Sequence, residues 1–172
     1  RDFDAQATYA ERDAKTVALY LHEFLGFPEQ NIQVLTGDRA NRSDIAKYLE
    51  IWLPTMVTPE SKIFFYFSGH GAPDQKGKKT FLVPHDGDPK MLSATAYPLD
   101  LLYEKLAALK AKEVNVVLDS CFSGSGGRSV FAAGARPLFV RPEGGEVPPN
   151  SGITVFSASA ADALTGGFDA QK

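Results

Sequence analysis

Two short polar segments interrupt otherwise apolar runs, and each carries one residue suited to proton or nucleophile chemistry. Phe65-Tyr66-Phe67 leads into Ser68-Gly69-His70-Gly71, and Val116-Val117-Leu118 leads into Asp119-Ser120-Cys121-Phe122-Ser123-Gly124. Cys121 is the single cysteine of the chain. A free thiol with a pKa near ~8.5 is mostly protonated at neutral pH. A neighbouring imidazole can take that proton and later return it to a leaving amine. The carbonyl oxygen under attack then needs donors, and the backbone N–H groups of Gly71 and Cys121 are the candidates. Taken singly, His70 reads equally well as a structural histidine and Cys121 as a buried filler. Together, at the ends of two apolar runs and beside small residues, they form a far more specific pattern. His22, within a helical stretch, and His85, in a turn, read as surface or structural histidines.

Positioning that pair requires strands. Lys62 to Phe67 and Val114 to Leu118 are continuous apolar runs of the kind buried in a parallel sheet, and Ile153 to Phe156 is a third. In open α/β sheets the ligand crevice lies beyond the carboxyl ends of the strands, so both polar segments point to one edge. If the first two strands are neighbours, ~4.8 Å apart, imidazole and thiol can meet. Asn31 to Leu35 and Thr80 to Pro84 read as shorter strands.

Helices fill the intervals. Thr8 and Glu11 have the spacing of a capping box. The stripe that follows is Ala14, Val17, Ala18, Leu21, Phe24 and Leu25, stopped by Gly26 and Pro28. A second helix is expected after Ser43, with Ile45, Tyr48, Leu49, Trp52 and Leu53 on one face and its end at Pro54. A third opens at Pro98, with Leu99, Leu102, Leu106 and Leu109 as its stripe. Helices alternating with apolar strands predict an α/β domain with a mainly parallel central sheet. From Gly124 to Gly152 the pattern dissolves into a long loop with seven Gly and four Pro.

Composition narrows the function classes. The 172 residues carry 18 basic and 21 acidic side chains, a formal charge of −3, and suit one domain. No basic block points to nucleic acid, and the Lys76, Lys78, Lys79 cluster reads as a solvated loop. No apolar run approaches the ~20 residues of a membrane helix, and Arg1 onward lacks signal-peptide character. One cysteine excludes an internal disulfide framework and a multi-Cys zinc site. Gly124-Ser125-Gly126-Gly127 does not complete a dinucleotide GxGxxG, and neither a GxSxG elbow nor a Walker A lysine is present.

The segments Phe65 to Gly71 and Asp119 to Gly124 together resemble the metacaspases, in particular their bacterial relatives, the orthocaspases. His70 and Cys121 are 51 positions apart (121 − 70), close to the ~50-residue spacing noted for caspases. Tyr9-Ala10-Glu11-Arg12-Asp13-Ala14 also resembles the acidic segment that opens the first helix of this family. The likeness runs from about Thr8 to Ser159. It implies a caspase-hemoglobinase fold, a three-layer α/β/α arrangement with a mainly parallel sheet, and peptide hydrolysis by a Cys121–His70 dyad. It further implies cleavage after Arg or Lys, because Asp13 and Asp119 match acidic pocket positions of metacaspases and Ser68 matches a pocket-lining one. The electrostatics agree: two carboxylates in one crevice repel, and an entering guanidinium relieves both. Outside the resemblance, Asp13 also reads as a helix-start acid and Asp119 as a strand-end cap.

The same resemblance sets further expectations. Residues 1–172 are expected to form a single p20-type domain without the family's first strand and its p10-like C-terminal part; either the sequence is a fragment or the p10-like part is a separate chain. Some metacaspases bind calcium near the post-histidine loop; Asp86 and Asp88 are the matching oxygen donors. The loop after Cys121 offers Arg128 instead of an acid, so no cofactor is expected. Lys172, Arg128, Arg136 and Arg141 are sites at which an enzyme cutting after basic residues would process itself. The expected partner is a peptide with Arg or Lys at the cleavage site, the expected state a monomer, and neither nucleic acid nor membrane is involved. The alternatives are a catalytically silent caspase-like interaction module and a thiol redox sensor on Cys121.

Overall fold

The apolar run around Val116 alternates sharply once folded. In the computed structural model, which describes residues 9–74, 79–120, 146–149 and 151–157, strand β5 (Glu113–Asp119) buries Val114, Val116 and Leu118 and leaves the residues between them half-covered. β1 (Lys62–Ser68) pairs with it in parallel, Lys62 opposite Glu113 through Ser68 opposite Asp119. β6 (Ile153–Ser157) continues the parallel sheet on the far side of β5, giving the order β1-β5-β6. A parallel pair needs a long crossover, and between β1 and β5 it includes α5 (Leu99–Ala108).

That helix supplies four of the eleven buried side chains of the main core. Leu99, Leu102, Tyr103 and Leu106 are buried against Leu49, Ile63, Val114, Val116 and Leu118, with Phe65 and Phe67 packed beside them. Each such side chain contributes about 1.5–3 kcal/mol when withdrawn from water. Tyr97 lies in the same core with its hydroxyl 3.0 Å from Glu50 Oε1, while Lys105 Nζ stands 3.6 Å from the other oxygen of that carboxylate. Burial, then the Glu50 hydrogen bond, raises the Tyr97 phenol far above its ordinary pKa. Tyr103 is pushed up to about 12, mainly by burial and then by the charge of Asp100.

α1 (Ala10–Glu23) takes the other face. It packs against β1, yet none of its residues joins the core beneath α5. Its half-buried positions 10, 13, 14, 17 and 18 and buried Leu21 form one inward stripe. The sheet therefore carries helices on both faces, as the α/β reading required.

A second sheet, antiparallel, stands past the end of β1: β2 (His70–Pro73), β3 (Thr80–Val83) and β4 (Tyr97–Pro98), in that order. Ala72, Phe81 and Val83 pack with Ala96 and with Leu92 of the short α4 (Leu92–Thr95) in a small core of their own.

Several expectations are corrected. Residues 32–36 form no ladder among the described residues; a 3-10 turn, Glu29–Asn31, precedes an extended segment beginning at Ile32. Extended backbone becomes a strand only beside a partner that takes its N–H and C=O groups. α1 begins at Ala10 with Tyr9 as N-cap and no side-chain cap, so no capping box is made at Tyr9; Thr8 lies outside the described residues. The second helix opens two residues earlier than expected, at α2 (Arg42–Ala46). There Asn41 Oδ1 accepts the Asp44 N–H at 2.7 Å. Pro54 does not end it. The chain widens into a π-helical stretch, Lys47–Trp52, and continues as α3 (Leu53–Met56). Proline's ring collides with the carbonyl four residues back, and widening the preceding turn makes room. Pro98 is the residue before α5 rather than its first turn. β1 and β6 are less buried than their apolar runs suggested: Ile63 alone is fully buried on β1, and Phe156 of β6 is exposed. Phe24 and Leu25, placed in the stripe of α1, are exposed as well. No helix among the described residues is long and apolar enough to cross a membrane.

Candidate active site

The β1–β5 register fixes one side of the site. Ser68 and Asp119 are the last residues of the two strands and face each other across the ladder. Each stands two positions before one of the reactive residues, His70 and Cys121. Leu118 and Phe67 belong to the core below α5. Side chains alternate along a strand, so Asp119 and Ser68 project from the opposite face, the one α1 covers. There the Ser68 hydroxyl donates to Asp119 Oδ2 at 3.3 Å, a long bond that favours one orientation of the carboxylate. The Gly69 N–H donates to the Asp119 carbonyl, also at 3.3 Å. A Cβ on Gly69 would lie 3.0 Å from the Phe67 ring, so the step from β1 into His70 runs tightly over that aromatic.

His70 opens β2, opposite Val83 of β3, with only 8% of its surface exposed. Gly71 follows opposite Leu82. The sequence placed His70 at the tip of the first apolar strand; antiparallel pairing in the second sheet holds its backbone there. Cys121 lies outside the described residues, as do Arg128, Arg136, Arg141, Lys172, and almost all of the 124–152 loop.

Asp13 comes from α1, whose first turn is tied by contacts to the loops that lead toward β3. Glu11 Oε1 is 3.4 Å from where a Gly37 Cβ would be. Ala40, three residues on, accepts the His85 N–H at 2.8 Å, and His85 follows Val83, the partner of His70. The first turn of α1 is thus linked, through these loops, to the segment that follows β3. Asp13 belongs to the inward stripe there, where Ala14, Val17 and Leu21 continue the row. Its side chain is 25% exposed, and one oxygen receives Nε and Nη2 of Arg12 at 3.3 and 3.2 Å. The sequence reading passed over Arg12, although its place beside the acid was in plain view.

Asp86 and Asp88 serve the loop that carries them. Asp86 Oδ1 accepts the Arg42 N–H at 3.0 Å, and Asp88 Oδ1 accepts the Lys90 N–H at 2.8 Å. Arg42 Nε also reaches the Ala96 carbonyl at 3.1 Å. No group of three or more His, Cys, Asp or Glu among the described residues is placed to hold a metal ion. His85 stands 3.7 Å from Asp38, and His22 Nδ1 is 3.0 Å from the Phe27 carbonyl, structural or surface roles for both.

The family model of the caspase domain matches residues 2–165. The chain belongs to the caspase domain family. This caspase domain is metacaspase-like. It is 28% identical over 133 residues to Metacaspase-1A of Aspergillus oryzae, covering 66% of this chain and 29% of that protein. It is 22% identical over 174 residues to Metacaspase-1 of Ajellomyces capsulatus, covering 90% of this chain and 46% of that one. The caspase domain therefore spans less than half the length of these relatives. No solved structure matches it significantly.

Proposed function

We propose that the chain is the catalytic part of a cysteine endopeptidase that cuts after Arg or Lys. The observation carrying this reading is the convergence at one sheet edge. Ser68 and Asp119 stand side by side two residues before His70 and Cys121, and the helix that packs on β1 carries Asp13 on its inward stripe.

In this reading His70 takes the thiol proton and Cys121 Sγ attacks the substrate carbonyl carbon. The oxygen gains the charge, and the N–H groups of Gly71 and Cys121 receive it. Collapse of the tetrahedral species breaks the C–N bond, and the imidazolium returns its proton to the departing amine. A water, deprotonated by His70, then hydrolyses the thioester and frees the thiol. Thiolate and imidazole supply nucleophile and acid–base, so the scheme requires no metal. The substrate's guanidinium or ammonium enters between Asp13 and Asp119, with Ser68 holding the latter. The basic residues of the 124–152 loop, Arg128, Arg136 and Arg141, are the sites proposed for self-processing.

Matched fluorogenic peptides ending in Arg, Lys or Asp, with and without calcium, test the reading. Cleavage after Arg or Lys, lost in Cys121→Ala and His70→Ala, is the expected result. Turnover of the Asp peptide alone would keep the dyad and overturn the acidic pocket. No turnover of any peptide by the folded full-length protein would favour a silent interaction module. Intact mass compared with Cys121→Ala tests self-processing, since identical fragments from both forms would rule it out.

A further inference from the structure

We propose that Arg12 is a built-in competitor for the substrate's basic residue: it occupies the Asp13 carboxylate in the resting protein and must leave when Arg or Lys enters. This rests on the acidic-pocket reading above and concerns the regulation of the same site. Two nitrogens of Arg12 converge on a single oxygen of Asp13, at 3.3 and 3.2 Å. They make the kind of contact that a substrate guanidinium would make, on the inward stripe of α1. The guanidinium carbon also lies 4.6 Å from the centroid of the Tyr9 ring. The ring contact is made while Arg12 is paired with Asp13, and it is one the cation can keep when the acid is taken.

The two ends of the pair differ in a way that suits displacement. Asp13 is largely covered at 25% exposure, whereas Arg12 is 67% exposed and only its tip is committed. The acid therefore stays while the base can swing into water. An ion pair with so much solvent around one partner is worth ~0.2–1 kcal/mol. Such a contact is easily exchanged for a guanidinium held by Asp119 as well. Its effect falls on binding, because Arg12 touches neither the thiol nor the imidazole in the proposed scheme. Arg12 also neutralises Asp13 while it is in place, which lessens the repulsion between the two pocket acids in the empty site.

The test is a cycle of Arg12→Gln and Asp13→Asn in the full-length protein, read by KM and kcat on an Arg peptide. Agmatine binding to the same four forms carrying Cys121→Ala, followed by calorimetry, gives an affinity independent of turnover. Thermal melts confirm that each form is folded. Arg12→Gln is expected to lower KM and the agmatine Kd by about two- to fivefold with kcat unchanged, and to do nothing in the Asp13→Asn background. An unchanged or weakened affinity in Arg12→Gln, while Asp13→Asn still impairs binding, overturns the competitor and leaves the pocket standing. An equal gain in the Asp13→Asn background assigns the effect to general charge and also overturns it. If Asp13→Asn alone changes neither Arg-peptide kinetics nor agmatine binding, the pocket reading fails at Asp13, and the competitor fails with it.

Discussion

The two acids of the candidate pocket are held in different ways. Asp119 stands at the end of a ladder whose seven paired positions fix its height relative to Ser68, on a strand anchored by fully buried Val116 and Leu118. Asp13 is placed by a helix whose inward stripe is mostly half-buried and whose contact at the acid is an exposed arginine. Backbone pairing and close packing resist displacement, whereas a solvent-facing ion pair yields easily. In the proposed pocket Asp119 would thus be the fixed wall and Asp13 the adjustable one.

Substitutions can break or sharpen that contrast. Asp119→Asn should lower kcat/KM on an Arg peptide by at least about 30-fold, the lower end for truncating one partner of a desolvated charge pair. Asp13→Asn should cost several-fold less, and equal losses would erase the distinction. Beneath the fixed wall, Leu118→Ala should destabilise by about 2–5 kcal/mol in urea unfolding. A comparably large effect from Val17→Ala on half-buried α1 would contradict the difference in anchoring. Gly87→Ala probes the loop behind His70. A Cβ there would meet Val83 Cγ1 at 2.6 Å and the Pro84 carbonyl at 3.0 Å, so a loss of about 1–3 kcal/mol is expected. The smallest effect at neutral pH is Ser68→Ala, about fivefold in KM for an Arg peptide, the worth of one ordinary hydrogen bond, with kcat spared.

Alkaline pH tests the core under the fixed wall. The folded-state pKa values of Tyr97 and Tyr103 are raised, in both cases first by burial. Their unfolded value is about 10. The stabilisation of the neutral phenols is complete below that pH and is lost above it, through about 12 for Tyr103. Urea midpoints should therefore fall as pH rises above about 10, and Tyr97→Phe should flatten the fall. A midpoint independent of pH over that range would show that neither phenol is shielded from ionising.

Much of this was legible in the chain itself. The runs around Phe65 and Val116 announced parallel strands because uninterrupted apolar residues have few other homes in an α/β domain. Leu99, Leu102 and Leu106 announced α5 by their period. Other features were hidden by their dependence on neighbours. Residues 32–36 have strand composition but no ladder partner among the described residues. Pro54 stopped the predicted helix, yet the fold accommodates it by widening the turn before it. Asp86 and Asp88 read from the sequence only as candidate oxygen donors; their contacts are with N–H groups of Arg42, 44 residues away, and of Lys90.

By itself the sequence determined the residue types that carry the chemistry, the alternation of helix and strand, and the family resemblance, since motifs and periodicity are local. Tertiary structure alone decided that Ser68 faces Asp119 and that both project toward the face covered by α1; the side-chain conformation decided that Arg12 rests on Asp13. Those facts depend on register, on side-chain alternation relative to a buried core, and on which surface charge finds which partner. Each is a relation between distant segments or between side chains, and local composition does not encode it.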